Sequence, residues 1–168
     1  MSGWYLRKII TGGQTGVDRA ALDVAMELGI PCGGWCPKGR IAEDGPIPPH
    51  YPLVETEDAE YIERTRRNIA DADGVLILYS HSLYAGTRHT LNLAVDYGRP
   101  SLTVDLTLDP DPADVLAWLV RFDRGVVINV AGPRESNSPG IYDLSVPYLR
   151  TLLRGIPLDD QLDELPRS

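Results

Sequence analysis

Apolar residues recur along the chain in two alternating rhythms, short β-branched runs and longer stretches at helical spacing. Arg7 to Ile10 is short and β-branched and ends at a glycine pair, which predicts a buried strand. Val17, Ala20, Ala21, Val24, Ala25 and Leu28 then fall at the spacing of one helix face, with Asp18, Arg19, Asp23 and Glu27 on the other. Gly29 and Pro31 stop that helix. Pro31 to Tyr51 is rich in glycine and proline and carries little periodicity, so it reads as a long functional loop. Leu53 to Glu55 fits a short strand and Asp58 to Ala72 a polar helix, with Arg64, Arg66, Arg67 and Asn68 expected on its exposed face. Gly74 to Tyr79 is the clearest buried strand.

The alternation continues to the end of the chain. Gly86 and Thr87 open a helix carrying Leu91, Ala94 and Val95, which Gly98 and Pro100 close. Ser101 to Asp105 follows as a strand, and Asp111-Pro112 starts a helix with proline at its first position. Val126 to Val130 is a further strand. A last helix runs from near Ser138-Pro139 toward Arg154, with Pro147 expected to kink or shorten it. Strands alternating with helices predict an α/β fold: a single Rossmann-like domain over residues 1–156. Its sheet would be mostly parallel, of about five or six strands, with helices on both faces. Residues 157–168 read as an acidic tail.

Charge and composition narrow the function. The formal charge of −8 argues against a nucleic-acid partner, which needs a basic surface. The first residues lack signal-peptide character and no apolar run spans a bilayer, so no membrane role and a cytoplasmic location are expected. Cys32 and Cys36 make up only half of a zinc site, and they read as small buried hydrophobes; no protein-ligated metal is predicted.

Ligands of open α/β sheets bind beyond the carboxyl ends of the strands. Three strand ends here carry loops rich in glycine and hydroxyl residues: Gly12-Gly13-Gln14-Thr15-Gly16, Ser80 to Thr87, and Ala131 to Ser136. In a parallel sheet all of them share one edge. Glycines bring the backbone close to a ligand, and the free amides of a helix's first turn suit a phosphate. The expected contacts are therefore Gly12, Gly13, Gln14, Thr15 and Gly16, with Gly86 and Thr87 completing the cradle. Valine at Gly13 is expected to weaken binding more than stability. The first loop matches neither G-x-G-x-x-G nor the P-loop. Asp18 fits either a capping box with Thr15 or a ligand contact. Lys38, Arg40 and Arg134 would neutralise the anion, and segment 31–51 would close as a lid. Trp35 stacks on a ring or packs in the core. Glu43 and Asp44 read as solvated loop charges or as an acid/base pair, and His81 and His89 lack partners that would mark a catalyst. No catalytic residue is singled out.

Several stretches together resemble the molybdenum cofactor carrier family, within the Lonely Guy-like (SLOG) Rossmann superfamily. They are Gly12 to Ala20, Gly33-Gly34-Trp35-Cys36-Pro37-Lys38-Gly39-Arg40 with Ala42 to Gly45, and Asn129 to Ser136. The resemblance implies a Rossmann-like fold, a homodimer or homotetramer, and a pocket for a phosphorylated pterin or nucleotide. The molybdenum cofactor (molybdopterin) would then be a bound ligand of a carrier rather than the tool of an enzyme. Two alternatives stay open, a nucleoside-monophosphate phosphoribohydrolase of the Lonely Guy type and a non-catalytic nucleotide-sensing module. The phosphoribohydrolases carry P-G-G-x-G-T-x-x-E; here Gly86-Thr87 survives, but Thr90 stands in place of the glutamate. N-glycosidic cleavage needs a carboxylate, which Asp18, Glu43 or Asp44 would have to supply.

Overall fold

The computed structural model describes residues 3–158. In chain order the elements are β1 (Tyr5–Ile10), α1 (Val17–Glu27), β2 (Cys32–Gly33), β3 (Trp35–Cys36), β4 (Ile41–Ala42), β5 (Gly45–Pro46) and β6 (Val54–Glu55). They continue with α2 (Tyr61–Asp71), β7 (Gly74–Tyr79), α3 (Ala85–Asp96), β8 (Ser101–Asp105), a 3-10 turn (Leu106–Leu108), α4 (Pro112–Val120), β9 (Gly125–Ala131) and α5 (Ile141–Arg154). The main sheet has five strands in the order β2-β1-β9-β7-β8, and every pair in it is parallel. Its most central strand is the last one in sequence. The expected α/β fold with helices on both faces is what forms.

Side-chain alternation explains the layering. Leu76 and Leu78 of β7 and Val126, Ile128 and Val130 of β9 enter one core with α1, α4 and α5. Val75 and Ile77 turn to the other face and pack with Ile69 of α2 and with Leu93 and Ala94 of α3. β1 begins earlier than its pattern predicts. Its register against β9 shifts between Leu6 and Lys8, so Leu6 and Ile9 both reach the first core although three positions apart. A bulge breaks the period of two, and the early half of the strand is therefore hidden from a pattern search.

Three expectations change. Pro147 lies inside α5, yet the helix runs on to Arg154. Leu149, Leu152 and Leu153 bury beyond it. Each is worth about 1.5–3 kcal/mol, which together outweighs the roughly 3 kcal/mol of an interior proline. The polar face of α1 meets solvent only toward its end, at Glu27, because Asp18 and Arg19 at its start are both buried. Segment 31–51 covers that start. That segment is no structureless loop: it holds β2 to β5 and shares a small core of Leu22, Cys36, Ala42, Ile47, Tyr51 and Leu53. Pro157 and Leu158 lie along the start of β1, where the Leu6 amide donates to the Pro157 carbonyl at 2.9 Å. The rest of the predicted tail, 159–168, is outside the described residues.

Candidate functional site

Because β1, β9 and β7 are parallel neighbours, the turns that follow them leave the sheet on one rim. Gly12 and Gln14, Gly132 to Arg134, and Tyr84, Gly86 and Thr87 line a single cleft there, with a cavity volume of about 160 Å³. The fourth wall is α2, which presents Tyr61, Arg64, Thr65 and Asn68. Those residues sit at i, i+3, i+4 and i+7, one stripe of a helix.

The turn after β1 is largely occupied by its own side chains. The Gly13 amide donates to Thr11 Oγ1 at 3.1 Å, the Gln14 amide to Asp18 Oδ2 at 3.2 Å, and the Thr15 amide to Gln14 Oε1 at 3.1 Å. Asp18 thus stands where an anion would otherwise seat. Arg64 Nη1 lies 3.3 Å from the same carboxylate oxygen, with both side chains largely buried. Burial raises the Asp18 carboxyl above its usual value, while Arg64, the Gln14 and Gly12 amides and Arg19 pull the other way. The guanidinium of Arg64 explains Gly12, since a Cβ there would come within 1.6 Å of Nη1.

The donors still free are elsewhere in the cleft. α3 begins after Tyr84 without a side-chain cap, and its first intrahelical backbone bond is Arg88 N to Tyr84 O. Among the described residues the Ala85, Gly86 and Thr87 amides therefore lack acceptors, the state that makes a helix N-terminus hospitable to anions. Gln14 Nε2 and Arg64 Nε are buried and unpartnered. The Arg134 side chain makes no hydrogen bond or ion pair among the described residues, and its guanidinium carbon lies 5.4 Å from the Tyr61 ring centroid. Arg64 lies 5.6 Å from the same centroid. Asp18 is the only carboxylate among the described residues lining this cleft.

The sequence profile of the circularly permuted YpsA SLOG family matches residues 9–153. The chain belongs to that family. One solved structure shares the fold, with a TM-score of 0.81 and 40% identity over 89% of this chain and 96% of its own. That protein, from Syntrophus aciditrophicus SB, carries the provisional name of a molybdenum carrier protein. No curated protein matches the chain significantly. The permutation agrees with the topology, in which the final strand of this SLOG protein fills the centre of the sheet.

Of the residues expected at the site in this SLOG protein, the cleft brings together Gly12, Gln14, Asp18, Gly86, Thr87 and Arg134. Thr15 and Gly16 border a different, shallow depression with Arg19, Asp23, Tyr51 and Tyr142. Gly13 faces the small core, where a Cβ would meet Leu53 Cδ1 at 2.4 Å. Lys38 is exposed and away from the cleft. Arg40 is spent on the chain itself: its side chain donates to the carbonyls of Ile47, Leu53, Pro48 and Tyr51 at 2.8–3.2 Å. No residue of segment 31–51 lines the cleft, so the expected lid is a fixed buttress.

Glu43 and Asp44 are exposed charges, as one of the two readings expected, but each is engaged in hydrogen bonds and neither lines the cleft. Glu43 accepts from the Thr15 hydroxyl and from the Ser136 amide and hydroxyl at 3.1 and 2.5 Å, tying two strand-end turns together. Asp44 forms a two-point pair with Arg19 at 2.9 Å. The capping box does not form either, because Thr15 is engaged with Glu43 and Glu135 and the N-cap of α1 is Gly16. Trp35 is half-buried, with its ring under Arg67 at 4.8 Å and its Nε1 donating to Asp71. Cys36 packs in the small core and Cys32 against it, and burial raises both thiols. Among the described residues no His, Cys, Asp and Glu cluster suits a metal ion, and no helix is long and apolar enough to cross a membrane.

Arg64 and Asn68, expected on an exposed face, turn inward, while Arg66 and Arg67 stay outside and pair with Glu63. The stripe Tyr61, Arg64, Thr65, Asn68 was present in the sequence as a polar face of i, i+4 spacing, but only the fold shows that the cleft lies against it.

Proposed function

We propose that the cleft holds a phosphate-bearing pterin or nucleotide, the molybdenum cofactor first among them, and that the protein binds and carries it without converting it. The observation behind this reading is the surplus of donors. A chain of net charge −8 gathers Arg64, Arg134, Gln14 Nε2 and the uncapped start of α3 around one cavity, with a single carboxylate that Arg64 already accompanies. Such a set lacks only an anion. The phosphate would seat against the Ala85, Gly86 and Thr87 amides beside Arg134, rather than on the turn after β1 whose amides Asp18, Thr11 and Gln14 hold. The carrier name of the 40% identical protein supports the choice of ligand.

The phosphoribohydrolase alternative has less to draw on. Thr90 donates to the Gly86 carbonyl at 3.1 Å, and Glu43 and Asp44 do not line the cleft. The protein purified from its native cells should release pterin fluorescence when denatured under oxidising conditions, with molybdenum detectable by elemental analysis. Steady release of free base from purine nucleoside monophosphates would overturn the carrier reading.

A further inference from the structure

Charge accounts for the arginines and the helix start, but not for Asn129. This residue occupies the central strand of the sheet, in register with Ile10 on one side and Val75 on the other. Val126, Ile128 and Val130 point to the first core, so alternation places Asn129 with Ala131 on the face of α2 and α3. An apolar side chain is expected at such a position. Asn129 is instead 3% exposed and lines the cleft, and its side chain has no hydrogen-bond partner among the described residues. Its polar atoms open to the cleft rather than being sealed in the core, so a bound molecule can pair with them.

The other buried amides of the cleft are committed. Asn68 accepts from the Trp35 amide at 2.8 Å and donates to the Trp35 carbonyl at 2.9 Å. Gln14 Oε1 accepts from the Thr15 and Glu43 amides at 3.1 and 2.9 Å, which leaves that residue a donor only. Among the described buried amides of the cleft, Asn129 alone keeps both a donor and an acceptor, side by side. A flat ring edge with an N–H next to a ring nitrogen or carbonyl matches that pair, as the lactam edge of a pterin or of guanine does. A bare phosphate, chiefly an acceptor, does not.

We propose that Asn129 is the specificity residue of this cleft and reads the hydrogen-bonding edge of a pterin- or purine-type ring whose phosphate is held at the start of α3. The proposal rests on the binding function set out above and adds the ring to the anion. Calorimetric titration of the purified full chain with GMP and with ribose 5-phosphate separates the two contributions. Wild type should bind GMP about tenfold or more tighter than ribose 5-phosphate, roughly 1.4 kcal/mol. Asn129→Leu, close in size and without polar atoms, should bring GMP down to the level of ribose 5-phosphate and leave the latter unchanged. Asn129→Ala gives the same comparison if the leucine variant does not fold. A GMP preference that survives either folded variant, or is absent in wild type while ribose 5-phosphate binds, overturns the role of Asn129 alone. Failure of both compounds to bind wild type overturns it together with the anion site.

Discussion

Gly13 sits at φ +77 with its missing Cβ aimed at Leu53 and Ile47, on the far side of the turn from the ligand cleft. The sequence reading expects a valine there to harm binding before stability. The structure reverses that expectation. A β-branched residue at positive φ costs about 1–3 kcal/mol in backbone strain, and overpacking adds about 1–3 kcal/mol more. Gly13→Val should therefore lower the midpoint of thermal or urea unfolding markedly, and any loss of binding should follow the loss of folded protein. The glycine-rich turn was legible from its composition, but which glycine faces which way was not. That depends on Arg64 lying over Gly12 and Leu53 lying under Gly13, contacts made by residues some 40–50 positions away.

Segment 31–51 shows the same dependence at the scale of an element. Its glycines and prolines, with sparse periodicity, read as a loop, because two-residue strands are too short to leave a hydrophobic rhythm. What fixes it is polar: Arg40 on four carbonyls, Asp44 on Arg19, and Glu43 across Thr15 and Ser136. The hydrogen bonds from Arg19 hold the Asp44 carboxyl below its usual value. Burial raises Glu43, but the bonds from Ser136 and Thr15 outweigh it and leave that carboxyl lowered as well. A lowered folded-state value means the stabilisation is present above the unfolded value, near pH 4, and is lost as pH falls through the folded one. Both groups are substantially solvated, so each contribution is small. Amide hydrogen exchange of 31–51 should be slow and flat from pH 8 to 5 after correction for intrinsic rates, then show loss of protection below about pH 4. Glu43→Gln should show a small part of that loss already at neutral pH.

For the whole molecule, an acidic chain sets Arg134, Arg64 and the uncapped start of α3 around one rim. Binding there should raise stability by mass action, roughly 2.7 kcal/mol at a ligand concentration 100 times the dissociation constant. For a domain of this length that corresponds to a rise in Tm of very roughly 5–11 °C. Arg134→Ala tests where the charge acts. Among the described residues its guanidinium has no hydrogen bond or ion pair, only the Tyr61 ring and a weak attraction to the exposed Glu43, so the ligand-free Tm should stay close to wild type. The shift produced by a fixed concentration of ribose 5-phosphate should shrink, in line with an affinity about tenfold or more weaker. A large fall in the ligand-free Tm would make Arg134 a structural residue.

The sequence by itself determined the order of the helices and the longer strands, the parallel sheet and the three strand-end turns, because hydrophobic period and glycine placement are local properties of the chain, whereas the two-residue strands β2 to β5 escaped it. Parallel connection alone then obliged the turns after β1, β7 and β9 to share an edge. Only the tertiary structure decided which polar groups on that edge remain free. Asp18, Thr11 and Gln14 quench the turn after β1, Arg40 is absorbed by segment 31–51, and Arg64 and Asn129 turn into the cleft. Whether a donor has already found its acceptor is settled by residues distant in sequence, and no local pattern records that pairing.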